Sequence, residues 1–167
     1  ITNVSALDNI HTLDLSYNYS NITDVSALGK VHTLNLSGTS ISDVSKLGNV
    51  HTLNLYACNN ISDVSALGNV HTLDLGWCYN ITDVSMLGNV HTLNLSHCTN
   101  ITDVSKLGNV HTLNLSDTNI SDVSALGNVH TLDLIGCQNI TDVSALGNVH
   151  TLDLSRCKNI SDVSKLG

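Results

Sequence analysis

The chain restates itself roughly every 20 residues, and that period constrains its fold more than any other feature of the sequence. Units begin at Ile1, Ile22, Ile41, Ile61, Ile81, Ile101, Ile120 and Ile140, with an incomplete one at Ile160. In the second unit the apolar positions are Ile22, Val25, Leu28, Val31, Leu34 and Leu36. Steps of three followed by a step of two fit neither a long helix nor a long strand. They fit one turn of a coil whose inward residues fill a narrow core, each unit covering the next. The chain has no Pro or Phe and only 3% aromatic residues, which agrees with a stacked array and not with one large aromatic core.

The step of two marks a short strand, Thr33-Leu34-Asn35-Leu36, with both leucines on one face. Strands of successive units then lie parallel, about 4.8 Å apart. On the opposite side, Asp24-Val25-Ser26-Ala27-Leu28-Gly29 reads as one capped turn. Asp24 is expected to accept the turn's free amide hydrogens and Gly29 to supply a left-handed exit. A single turn is too short for an α-helix, so a 3₁₀-like turn is expected. Length varies only between the strand and the next Ile: Thr39-Ser40-Ile41 is one residue shorter than Cys58-Asn59-Asn60-Ile61.

These residues carry a resemblance. Leu28-x-x-Val31-x-x-Leu34-x-Leu36-x-x-Thr39 resembles the leucine-rich repeat, and the likeness runs over essentially the whole chain. The Ile-x-Asp-Val-x-x-Leu half is similar to the short repeats of internalin-like and phosphatase-regulator-like proteins. The Cys137-x-Asn-Ile140-Thr-Asp142 half is similar to cysteine-containing repeats of F-box substrate adaptors, although those are longer and carry a real helix. Near-identical short arrays of this kind also resemble those of large DNA viruses. The resemblance implies an α/β right-handed solenoid, with a parallel sheet on the concave face and short 3₁₀-like turns on the convex face. It further implies a single array over 1–167 that binds proteins on its sheet; the start at Ile1 without a Met reads as part of something longer.

Three constant columns invite chemistry. Cys58, Cys78, Cys98, Cys137 and Cys157 share one phase, three residues after the second strand leucine; Asn18, Thr39 and Thr118 hold it elsewhere. The resemblance assigns this phase to an inward ladder that satisfies backbone groups. A metal or redox site would need paired sulfurs at C-x-x-C spacing, which the sequence lacks. His11, His32, His51, His71, His91, His111, His130 and His150 form a second column, facing an Asp/Asn column at i+3 from Asp14 to Asp153. A flat column diverges where a metal needs about four converging ligands, so it reads as a surface ladder that stacks and hydrogen-bonds. Metal or proton sensing through this column stays an alternative function. Thr12, Thr33, Thr52 and their equivalents point outward, as suits β-branched residues in strands.

No cofactor or catalytic constellation is expected, because duplication alone brings Asp, His and Ser together in every unit. The reading is of a non-enzyme. The net charge of −8 excludes a basic nucleic-acid surface. No apolar run approaches the ~20 residues of a membrane span. An odd five cysteines and sequons such as Asn80-Ile-Thr82 and Asn114-Leu-Ser116, too crowded for glycans, point to a reducing, cytoplasmic setting.

Function is then sought where the units differ. The residue after the second strand leucine reads Ser16, Ser37, Tyr56, Gly76, Ser96, Ser116, Ile135, Ser155, and the next reads Tyr17, Gly38, Ala57, Trp77, His97, Asp117, Gly136, Arg156. A third column includes Tyr19, Tyr79, Gln138 and Lys158. Trp, Tyr and Arg are the types that most often carry interface energy. Tyr17, Tyr56, Trp77, Tyr79, His97 and Arg156 are therefore the candidate partner-binding residues, at the edge where the strands end. Drift at solvent-facing loop positions explains the same pattern. A protein scaffold is the leading function. The alternative is structural self-assembly, end to end or as a homodimer, through ends that expose residues such as Leu7 and Leu166.

Overall fold

The six apolar positions of each unit turn inward, as the period requires, and stack on their counterparts in neighbouring units. The computed structural model describes residues 3–4, 6–7, 9–17 and 22–166; expectations placed on Ile1, Asn18 and Tyr19 lie outside the described residues. Among the described residues, eight strands form one parallel sheet in chain order. They are β1 (Thr12–Asp14), β2 (Thr33–Asn35), β3 (Thr52–Asn54), β4 (Thr72–Asp74), β5 (Thr92–Asn94), β6 (Thr112–Asn114), β7 (Thr131–Asp133) and β8 (Thr151–Asp153). Thr pairs with Thr and Leu with Leu at every step. The second leucine lies just past each strand, so the regular stretch is one residue shorter than the sequence suggests.

In the second to sixth units the inward residues are almost fully enclosed: Ile61, Leu67 and Leu75 are each 0% exposed. Burying one such side chain stabilises by about 1.5–3 kcal/mol, and each unit can do so only because its neighbours cover it. From the strand of the eighth unit onward the equivalents Leu152, Leu154 and Ile160 are half-buried and Val163 is 57% exposed.

Opposite the sheet, 3₁₀ turns occur at Ser26–Lys30, Ser65–Leu67, Ser85–Leu87, Ser124–Leu126 and Ser144–Leu146. The units with Lys46 and Lys106 close the same backbone bond without a full 3₁₀ turn: Leu47 and Leu107 donate to Val44 and Val104. Asp24 accepts the Ser26 amide at 2.9 Å, and its counterparts Asp43 through Asp162 repeat that bond, as expected. Hydrogen bonds from the following serine hold this whole carboxylate column below its usual pKa.

The turn glycine departs from expectation. Gly68, Gly88, Gly127 and Gly147 are right-handed, with φ from −61° to −63°, so they provide no left-handed exit. Their role is close approach. A Cβ on Gly68 would overlap the carbonyl oxygen of Met86 in the next unit, and Gly88 stands the same way against Lys106. Glycine here sets how tightly coils stack.

Candidate functional site

The strand exit is built by two sets of hydrogen bonds. Leu75, Gly76, Trp77 and Cys78 close a turn in which the Cys78 amide donates to the Leu75 carbonyl at 3.2 Å. The Trp77 amide donates sideways to Ser96 O of the next unit at 2.8 Å. Together they force the third turn residue to positive φ, the place where turns normally use Gly or Asn. The whole edge column adopts it: Tyr17 (51°), Ala57 (57°), Trp77 (62°), His97 (59°), Asp117 (54°) and Arg156 (64°), alongside Gly38 (67°) and Gly136 (72°). Those glycines were the sequence's only hint that the variable edge is a left-handed position and no ordinary loop.

Below the edge, the cysteine ladder is as expected. Each thiol donates back to the preceding unit's second strand leucine: Cys58 to Leu36 O at 3.1 Å, Cys78 to Leu55 O at 3.2 Å, Cys98 to Leu75 O at 3.1 Å. Cys137 and Cys157 repeat the contact with Leu115 O and Leu134 O. Thr39 and Thr118, in the shorter loops, instead bond the leucine carbonyl of their own unit at 2.7 Å. All five cysteines are free. Burial raises their thiols, Cys98 to about 11.

A second ladder went unnoticed in sequence. From Asn60 to Asn159 the Asn before the unit's Ile donates its amide to the preceding loop: Asn80 to Asn59 O at 2.7 Å, Asn100 to Tyr79 O at 2.6 Å, Asn119 to Thr99 O at 2.7 Å. The signal was the recurrent Asn-Ile pair.

The histidine column is a stack. From His11 to His130, ring centroids of neighbouring units stand 4.6 Å apart, with interplanar angles between 9° and 17°. The expected pairing with the Asp/Asn column gives way to a shorter partner: His32, His51, His71, His91, His111 and His130 meet the adjacent threonine hydroxyl at 3.3 Å through Nδ1. The Asp/Asn column is engaged elsewhere, capping the backbone two residues on, as Asp74 does at Gly76 N (2.9 Å). It also bonds laterally, as Asn94 does to Asp74 at 2.9 Å. Desolvation raises the Asp74 carboxyl despite both bonds. Desolvation, and then repulsion from His130 and His91, lowers the His111 imidazole. Among the described residues no group of three or more His, Cys and Asp side chains is placed to hold a metal.

The six candidate binding residues separate into one cluster and two outliers. Trp77 lies 4.4 Å from His97, ring centroid to centroid, and meets Tyr79 edge-on at 5.9 Å. The His97 Nε2 stands 3.6 Å from the Asp117 carboxylate. Tyr56 leans over Gly76, whose missing Cβ makes room for its ring. Tyr17 covers Gly38 two units before Trp77, and Arg156 sits two units beyond Asp117. Asp117, absent from the candidates, completes the cluster that Trp77 begins.

A model of the leucine-rich repeat family matches residues 89–105 and 109–127. No curated protein matches the sequence. Among solved structures, internalin C2 of Listeria monocytogenes is 29% identical, with a TM-score of 0.75, covering 96% of this chain and 77% of that one. An internalin, InlF, of the same organism is 26% identical over 87% of this chain, with a TM-score of 0.69; the chain spans about half its length (48%). A TLR13–ssRNA13 complex shares the fold at 22% identity and a TM-score of 0.54, over 87% of this chain and 23% of that one. With the period, the register and these matches in agreement, the chain is a leucine-rich repeat protein.

Proposed function

We propose that the array is a non-enzymatic scaffold that binds a protein partner along its sheet and the edge where the strands end, with the Trp77 cluster as its centre. The observation that carries this reading is the backbone. A Trp at φ 62° sits where Gly38 and Gly136 would be relaxed, and the residue stays 38% exposed. A left-handed non-glycine residue costs about 1–2 kcal/mol. Neither packing nor turn geometry accounts for an exposed indole there, whereas interface anchoring does. The constant Thr and Asp/Asn columns beside it form a polar floor. The surface charge, −8 overall, favours a protein over nucleic acid.

Substitution tests it. Ala57 already adopts the same conformation, at φ 57°, so Trp77→Ala is accommodated by the backbone. Affinity for a partner captured by the wild-type array is expected to fall by about 2 kcal/mol in Trp77→Ala. Thr112→Ala, in the constant sheet and away from the aromatic residues, is expected to bind like wild type. Equal losses in both variants would place binding on the uniform face and discard the edge.

A further inference from the structure

The histidine column has no part in the edge site. All eight rings, from His11 to His150, are exposed at the strand entry, the end of the strands opposite the Trp77 edge. From His32 to His130 the threonine hydroxyl takes Nδ1 at 3.3 Å, so Nε2 is the nitrogen left for an outside partner. Stacking sets these atoms in one row, with ring centroids 4.6 Å apart. The exposed residue two before each ring is Asn, or Lys30 in the second unit, and the residue after it is Thr. The nearest carboxylates along the chain are Asp8, three residues before His11, and Asp14, Asp74, Asp133 and Asp153, three residues after their rings. Those last four each accept a backbone amide two residues on. A protonated imidazole donates from both nitrogens, so acid converts the row into charged donors. Protonating all nine histidines would move the formal net charge from −8 to +1, and eight of the nine stand in this row.

We infer that the histidine row is an acid-dependent docking site for a linear chain of phosphate groups, laid along the strand entry and bonded to the Nε2–H groups of successive rings. Neighbouring imidazolium rings repel one another, and His111 is held low by desolvation and then by His130 and His91. An anion set against each ring offsets that repulsion, so binding and proton uptake promote each other. Each contact is a charge-assisted hydrogen bond. The spacing selects the partner. An extended acidic peptide presents carboxylates on one face every second residue, about 6.6 Å apart, which is out of step with the rings. A flexible chain with an anion on every unit can place one near each ring. The row and the Trp77 edge lie at opposite ends of the strands, so neither site depends on the other.

The probe is linear inorganic polyphosphate, titrated calorimetrically into the intact chain at pH 5.5 and pH 7.5, with circular dichroism checking the fold at both. Affinity is expected to be about tenfold tighter at pH 5.5, with protons taken up on binding and a steep loss in added salt. At pH 5.5 the combined variant His71→Gln, His91→Gln, His111→Gln is expected to bind about tenfold more weakly, and His91→Gln alone about twofold. His97→Gln removes the one histidine outside the row and is expected to bind like wild type. Equal affinity at the two pH values would overturn the inference, because the row would then not need its protons. Equal losses in His91→Gln and His97→Gln would overturn it too, by reducing the site to diffuse charge. Polyaspartate that binds as tightly as polyphosphate would overturn the match to a phosphate chain. If the combined variant does not fold, His91→Gln set against His97→Gln decides.

Discussion

Two columns of the coil both hold glycine, and they use it for opposite reasons. In the turn column glycine holds every unit from Gly29 onward (the first unit has Asp8), and from Gly29 to Gly147 it is required because the next coil's carbonyl occupies the space of a Cβ. In the edge column glycine appears at Gly38 and Gly136 only, although the left-handed backbone there asks for it in every unit. The constant column obeys a contact between units, while the variable column goes against its own backbone preference. Where stacking dictates a residue, the sequence repeats. Six of the eight edge residues depart from the relaxed choice, and the interaction reading proposed above takes the departure at Trp77 as binding.

The largest expected effect tests the constant side. Gly88→Ala drives a Cβ into the Lys106 carbonyl, a backbone atom that can yield only by separating two coils. A loss of about 3 kcal/mol is expected, at the upper end of overpacking costs. Chemical denaturation reads it directly. A variant as stable as wild type would show that the coils can spread, and the contrast between the two glycines would collapse.

Next in size is the cysteine ladder. Cys98→Ala removes a buried sulfur and its bond to Leu75 O, at an expected cost of about 2 kcal/mol. The raised thiol pKa values and the burial also predict that native cysteines resist alkylation and label only after unfolding. Intact mass after brief iodoacetamide treatment checks this. Rapid native labelling of several cysteines would remove the ladder from the core.

The third effect is smaller and distinguishes the columns by cause. At position 77, glycine is expected to be more stable than alanine by about 1 kcal/mol, because only glycine relieves positive φ. At position 88 glycine is favoured as well, but by the Lys106 carbonyl that a Cβ would meet and not by φ. Melting of Trp77→Gly against Trp77→Ala gives the comparison. If the alanine variant is the more stable, the edge is unstrained and Trp77 loses its claim to be more than drift.

The parts legible in the sequence were those that depend on phase. Inward Ile, Val and Leu, the strand at Thr33, the Asp24 cap and the cysteine ladder all follow from residues recurring in one register. The turn glycine was misread because a Gly after a helical turn signals a left-handed exit and a close approach alike, and only the neighbouring coil separates them. The same holds for Asn80 and Asn100, whose amide partners lie in the preceding unit. His32 bonds its adjacent threonine and not the Asp/Asn column, a choice of ring orientation that spacing cannot reveal. The edge was found through its variety, but its left-handed backbone and the place of Asp117 came from bonds between units.

The smallest expected effect comes from the histidine stack. His111 is lowered by desolvation and then by the imidazoles of His130 and His91, stacked at 4.6 Å on either side. In the unfolded chain the same imidazole titrates near its ordinary value of about 6.5. Below that pH the unfolded chain therefore binds more protons than the folded one, so stability is full above it and falls as pH drops toward the folded value. The carboxylates lowered by serine hydrogen bonds, such as Asp24 and Asp153, also lose stabilisation on acidification, but only near and below pH ~4. Two separate windows result. Melting temperature is expected to decline modestly between pH 7 and pH 5.5, and His111→Gln, which keeps a polar side chain but cannot titrate, is expected to soften that decline. A melting temperature that rises over this interval would mean that protonated rings are stabilised by the neighbouring Asp/Asn column, and the stack would then act as a charged ladder and not as a neutral one.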